Sequence, residues 1–314
     1  MKKIPVFFID GFLDSGKTTF ITDTIKSDGF DGKTLLLVCE EGEISYDARL
    51  LKADYRTDIA YFSSLEEFDY KKISRLLKET KPDRVVIEMN GMWDLEQLRF
   101  PSELEILQVI YFIDASTFGV YFNNMRQKFV DIIKRSQVVV FIRCEDAQKE
   151  IEPYRTALRM INGNAQFMIM DRNMRASEAF EEPLPYSVDE PVIQIEDDDF
   201  ATFYIDTFDH KERYENKIVE YNMQVFQSKE LPEGTFIGGR KVMNCCANDI
   251  QLCGFLVKST LNMPLKDRSW IRVKAKLVYE FSEDYHEEEV MLEPMEIREI
   301  APLKEEVLSL NVQR

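Results

Sequence analysis

The chain has 314 residues, enough for two domains with separate cores. Its formal net charge of −17 argues against nucleic acid or an anionic membrane surface as the main partner. Five cysteines at this length do not make a disulfide framework.

The first apolar run, "IPVFFI", is broken by Asp10 and is too short for a signal-peptide core or a bilayer span, so it reads as a buried strand. No later run is long enough to span a bilayer, and the expectation is a cytoplasmic protein, not membrane-inserted, with reduced thiols. Up to about residue 172 the runs "TLLLVC", "DRVVIE", "LQVIYFID", "QVVVFI" and "AQFMIM" alternate with amphipathic stretches such as "SLEEFDYKKISRLLKET" and "AQKEIEPYRTALRMING". Strands that are apolar almost throughout are covered on both faces. Alternating with helices, they predict an α/β fold with a parallel, doubly wound sheet over residues 1–180. Residues 181–202 are acidic and proline-bearing and read as a linker. From 203 to 314 the pattern becomes two-residue alternation with turn signals such as "LPEGT", which predicts a small all-β domain, a barrel or sandwich.

The segment Gly11-Phe-Leu-Asp-Ser-Gly16-Lys17-Thr18 follows the first strand and opens a helix, and it fits GxxxxGK[ST]. Glycines allow successive N–H groups to turn inward on a polyphosphate. Lys17 supplies a point charge, and the Thr18 hydroxyl is an oxygen ligand suited to Mg²⁺. The expected nucleotide contacts are Gly11, Asp14, Ser15, Gly16, Lys17, Thr18 and Thr19. Glu88 ends an apolar strand at the sheet's carboxyl edge, where a carboxylate can hold Mg²⁺, and Gly91 brings an N–H toward the γ-phosphate.

These residues resemble the CobW/HypB/UreG group of P-loop GTPases, which insert or deliver metals. "GFLDSGKTT" is similar to the GFLGAGKTT loop of CobW-type members. "CEEGEISYD" is similar to their NExGExGxD switch segment, with Glu40, Gly42, Glu43 and Asp47 matching and Cys39 in place of asparagine. "RVVIEMNGMWD" is similar to a Walker B strand with ExxG, placing Glu88 and Gly91, and "YFIDASTFGVYF" resembles their VDAxxF segment. The resemblance implies GTP (or ATP) as ligand, Mg²⁺ held by Thr18, Glu40 and Glu88, and a switch over Glu40–Asp47. Read from the residues alone, Glu40 and Glu43 are equally switch residues or solvated acids. "RVVIEMNGMWD" offers no glutamine or histidine to position a water, so turnover is expected to be slow.

The chain departs from the family at two places. "ARLLKADYRTDIAYFSS" lacks the CxCC metal motif carried by many CobW relatives. Ungapped alignment on the guanine-reading NKxD gives Ile142-Arg143-Cys144-Glu145, so the asparagine is lost. Arg143 can stack on a base, and Glu145, or Asp146 with a one-residue shift, can accept from guanine. The expectation is weakened guanine preference with tolerance of ATP.

"GGRKVMNCCANDIQLCGF" gathers Cys245, Cys246, Asp249 and Cys253, a composition compatible with a Zn²⁺ site or with small hydrophobes in a core. Its GRxxMxCCxxD pattern resembles the C-terminal domain of a bacterial family found beside permeases and fused to CobW-type GTPases. That resemblance implies an OB-like barrel, and a permease or metal-dependent client as partner. His210 and His286 sit in charged, surface-like stretches. The combined expectation is a Mg²⁺-dependent GTP switch for zinc delivery. Its rivals are a non-hydrolysing nucleotide-gated module and an ATP-using P-loop NTPase.

Overall fold

A computed structural model describes residues 3–27, 29–145, 151, 154–171, 175–178, 184–232, 234–243, 250–259, 264–282 and 287–310. Asp146, Cys245, Cys246, Asp249 and His286 lie outside the described residues. The chain divides into two units, Met1–Glu152 with Asn164–Glu181, and Pro153–Gly163 with Glu182–Arg314.

The first unit is built on eight strands: β1 (Ile4–Gly11), β2 (Thr34–Val38), β3 (Thr57–Tyr61), β4 (Arg84–Glu88), β5 (Leu104–Asp114), β6 (Val138–Ile142), β7 (Gln166–Met170) and β8 (Ala176–Glu178). Their order is β3-β2-β4-β1-β5-β6-β7-β8. All pairings are parallel except β7 with β8. Helices α1 (Lys17–Lys26), α2 (Ala48–Tyr55), α3 (Tyr70–Thr80), α4 (Ala115–Asn124) and α5 (Arg126–Ile133) belong to the same unit.

The near-continuous apolar runs have a simple cause. Along β2, Leu35 and Leu37 join one core while Leu36 and Val38 join the other, and β1 alternates likewise with Val6 and Phe8 against Ile9. Side chains on a strand point alternately to the two faces, and both faces are covered here. The chain steps from β4 across β1 to β5, so the carboxyl end of β1 lies at the topological switch point of the sheet.

The second unit holds β9 (Ile193–Gln194), α7 (Phe200–Asp209), α8 (Lys211–Tyr214), β10 (Ile218–Phe226), β11 (Thr235–Met243), β12 (Ile250–Lys258), β13 (Trp270–Ser282), β14 (Glu287–Ile300) and β15 (Val307–Ser309). The sheet runs β15-β11-β12-β14-β13-β10-β9, and a further β10–β11 pairing closes five of these strands into a ring. Phe203, Tyr221, Phe255, Val273 and Leu277 are among the side chains filling its core. Ile193, Ile195 and Phe200 join them, so the stretch read as an acidic linker, 181–202, supplies part of this core.

Helix α6 (Arg155–Ile161), read from sequence with the first domain, belongs to the second unit instead. The chain leaves the first unit after β6, contributes α6 to the second, and returns as β7. Two forces fix α6 there. Met160 is part of the second core, and buried Arg155 donates to Asp206 at 3.3 Å and to Asp209 at 3.2 Å. Arg159 also donates to Asp209. Asp206 accepts in addition from Arg213 at 3.0 Å and from the Tyr214 hydroxyl at 2.7 Å. A buried carboxylate needs such partners, and a guanidinium stripped of its carboxylate is left with an uncompensated charge. Asp206→Ala is therefore expected to lower the stability of the second unit by about 3–5 kcal/mol. Tyr214→Phe, which removes the hydroxyl's hydrogen bonds to Asp206 and to the Tyr186 hydroxyl, should cost about 2 kcal/mol. Urea denaturation followed by tryptophan fluorescence, with Trp270 as the reporter in this unit, tests both.

Candidate phosphate-loop site

The loop between β1 and α1 takes its shape from a few residues. Asp14 and Gly16 both have positive φ, 58° and 86°. Gly16 stands at the N-cap of α1 with no side-chain cap, so the helix N-terminus opens directly on the loop. A Cβ on Gly91 would lie 2.4 Å from the Gly11 carbonyl oxygen and 3.0 Å from Phe12 N. The turn after β4 therefore presses on the loop's backbone, and only glycine fits. Phe12 is anchored from below by the rings of Tyr121 and Phe129, at centroid distances of 5.7 and 5.2 Å. Ser15 is buried and its hydroxyl has no hydrogen-bond partner among the described residues.

Charged groups converge on the loop. Lys17 is buried and its Nζ donates to Gly11 O (2.7 Å), Phe12 O (2.8 Å) and Glu40 Oε2 (2.8 Å). Thr18 Oγ1 donates to Glu88 Oε1 at 2.6 Å, and the Tyr46 hydroxyl donates to Glu88 Oε2 at 2.6 Å. Burial raises the Glu88 carboxyl above its ordinary range, opposed by these two hydroxyls and by Lys17. Asp14 Oδ1 accepts from the Glu43 N–H at 3.3 Å, and Asp47 caps α2 by accepting from the Leu50 N–H at 3.0 Å. Thr19 lines the same cleft, with Asp14, Gly16, Glu40 and Arg143.

The residue standing where a base-reading asparagine is expected does something else. Ile142 packs on the loop, its Cδ1 lying 2.9 Å from where a Gly16 Cβ would be. Arg143, in a left-handed conformation at φ 55°, donates to Asp14 O at 3.0 Å and pairs with Asp114. Hydrophobic contact and one arginine thus tie this loop to the phosphate loop, and Arg143 remains half exposed at the cleft. Cys144 is buried, which pushes its thiol up to about 12, while Glu145 is exposed.

Sequence reasoning singled out neither Asp10 nor Tyr46, although the latter lay inside a quoted motif. Asp10 is 1% exposed at the end of β1 and accepts from the Gly11 N–H at 2.7 Å. Its only signal was an acid at the end of a buried strand. Cys253, proposed as a zinc ligand, faces inward on β12 with Phe255 and Val257, its sulfur 4.0 Å from Met160 Sδ. Burial pushes that thiol up to about 12, away from the thiolate a metal requires. Among the described residues no group of three His, Cys, Asp or Glu side chains is arranged to hold a metal ion. No helix among them is long and apolar enough to cross a membrane.

A parallel sheet with this loop at its switch point, a buried lysine and a hydroxyl–carboxylate pair define a P-loop nucleotide-binding protein. Residues 5–169, just over half of the chain, match the CobW/HypB/UreG nucleotide-binding domain. The chain belongs to that family, and its residues 171–306 match the DUF1980 C-terminal domain. Solved structures that it resembles include the hydrogenase maturation factor HypB from Archaeoglobus fulgidus, at 20% identity over 57% of this chain and 85% of that one, TM-score 0.42. Another is the Zn(II)-bound YjiA GTPase from E. coli, at 17% identity over 76% and 86%, TM-score 0.40. HypB from Helicobacter pylori in complex with nickel is 14% identical over 54% and 79%, TM-score 0.36. No curated protein matches the chain.

Two outcomes follow from the packing. A methyl at Gly91 must push the loop's first carbonyl aside, so Gly91→Ala is expected to abolish nucleotide binding in calorimetry while the protein remains folded by circular dichroism. Burial raises Asp10 from 3.8 to about 6, against the Gly11 N–H, Lys17 and Lys128. With the folded value above the unfolded one, Asp10 contributes stability that is complete below pH 3.8 and lost as the pH rises through about 6. Asp10→Asn does not titrate, so its stability relative to wild type should climb by about 3 kcal/mol across that window and then level off. Urea midpoints measured from pH 4 to pH 7.5 would show this.

Proposed function

We propose that this protein binds a nucleoside triphosphate with Mg²⁺, hydrolyses it slowly, and uses the cycle to switch the Glu40–Asp47 segment. The observation that carries the reading is the convergence of Lys17, Thr18 and Glu88 on one glycine-shaped loop at the carboxyl end of β1. Lys17 and the loop amides would hold the β- and γ-phosphates. Thr18 and Glu88 would hold Mg²⁺, because a hydroxyl and a carboxylate 2.6 Å apart are the hard oxygen donors this ion takes. When bound, the ion supplies charge neutralisation at the transferring phosphoryl group. The buried hydroxyl of Ser15, without a partner among the described residues, supports a ligand whose oxygens reach the loop.

Base preference is proposed to be relaxed. Ile142 offers no hydrogen bond to a base edge, and a polar readout with one partner missing discriminates poorly. Arg143 would stack on either purine, and Glu145 would accept from guanine, so GTP is favoured over ATP by a modest factor. Family membership supports a transition-metal cargo, Zn²⁺ first, and the second unit, read as an OB-like barrel from its closed five-strand ring, is proposed to engage a metal-dependent client or permease. Cys245 and Cys246 would be its ligands, without Cys253, whose thiol is committed to the core.

Single-turnover hydrolysis of GTP with Mg²⁺ is expected to proceed in the wild type and to stop in Lys17→Ala. Equal rates would leave a nucleotide-gated module without catalysis, and equal Kd values for GTP and ATP would remove the guanine preference. Zinc content of the purified protein should fall in Cys245→Ser and Cys246→Ser and stay unchanged in Cys253→Ser. Unchanged zinc in all three variants would rule out the cysteine pair as the cargo site.

A further inference from the structure

A lysine ammonium has three N–H donors and accepts nothing. Lys17 Nζ has three oxygens within 2.8 Å, Gly11 O, Phe12 O and Glu40 Oε2, so its donors are all engaged by the protein itself. Two of these acceptors are backbone carbonyls of the loop, fixed by its fold. The third is a side-chain carboxylate from the segment that follows β2. The pair is well shielded from water, Lys17 at 3% and Glu40 at 12% side-chain exposure.

The segment carrying Glu40 is tied to the site at two further points. Tyr46 donates to Glu88 Oε2 at 2.6 Å, and the Glu43 N–H donates to Asp14 Oδ1 at 3.3 Å. It also runs close over the loop, since a Cβ on Gly42 would lie 2.6 Å from Asp14 Oδ1.

We propose that Glu40 is an internal anion that competes with the nucleotide's polyphosphate for Lys17, so that binding must draw the 40–46 segment off the loop. The inference rests on the reading of this loop as a phosphate cradle and adds a built-in brake to it. A phosphate oxygen that takes a Lys17 N–H has to replace one of the three acceptors. Glu40 is the one on rotatable bonds, and it is the one whose negative charge the phosphate duplicates. Two anions beside one ammonium repel each other, and the mobile one gives way. Because Tyr46 grips Glu88, release of Glu40 also frees the carboxylate that would hold Mg²⁺. Occupancy of the loop is thereby reported along residues 40–46, within the segment proposed above to switch.

The family resemblance gives Glu40 another role, as a Mg²⁺ ligand, and the two roles differ in sign. Titration calorimetry of the full chain with inorganic tripolyphosphate, without and with Mg²⁺, separates them. Under the competing-anion role, Glu40→Gln binds tripolyphosphate without Mg²⁺ about ten- to a hundredfold more tightly than wild type, the range that removal of one charge-assisted hydrogen bond sets. Glu40→Asp, which keeps the charge, stays near wild type. Glu40→Ala serves as a second neutral variant should the glutamine protein fail to fold. An affinity left unchanged or weakened by the neutral substitutions, in a wild type that does bind, overturns the brake alone. No binding by folded wild type and folded Glu40→Gln alike overturns the cradle reading and the brake together.

Discussion

A buried ammonium organises this site. Lys17 is buried and cannot be left without oxygens around it, since an unpaired charge there would cost many kcal/mol. The loop supplies two carbonyls by curling over the lysine's end, and the curl requires the left-handed turns at Asp14 and Gly16. It also requires the turn after β4 to come within touching distance, which Gly91 permits. The neighbouring strands follow from the same need, because β4 must end beside β1 for Glu88 to reach Thr18. The phosphate loop, the segment carrying Glu40 and the Glu88 strand are thus several responses to one charge.

The loop after β6 is held on the phosphate loop by packing and a single guanidinium. Ile142 packs against Gly16, and Arg143 donates to the Asp14 carbonyl. The cost is a non-glycine residue in a left-handed backbone conformation. Structural continuity between the two loops rests on these two contacts.

Much of the first unit was legible because its strands are covered on both faces and its loop has a fixed spacing of glycines, lysine and threonine. Glu88 was legible for the same reason, as an acid closing a buried run. Tyr46 was not, because its meaning lies in a partner 42 residues away, and residue type does not encode pairing. Asp10 looked like the end of a strand, and only three-dimensional burial shows its carboxyl sealed under the loop. Helical spacing identified α6 as amphipathic but could not say which core its apolar face enters. The answer depends on Asp206 and Asp209, about fifty residues further on. Two-residue alternation left barrel and sandwich both open, since closure is a property of the β10–β11 register.

The excursion of the chain through α6 means the two units are threaded, not strung end to end. A cut in the 181–202 stretch, the natural place to divide the gene, would leave Arg155 and Arg159 on one fragment and their carboxylates on the other. Neither fragment would be a self-sufficient domain. Any exchange of the second unit for another would have to carry α6 along with it, out of the middle of the first.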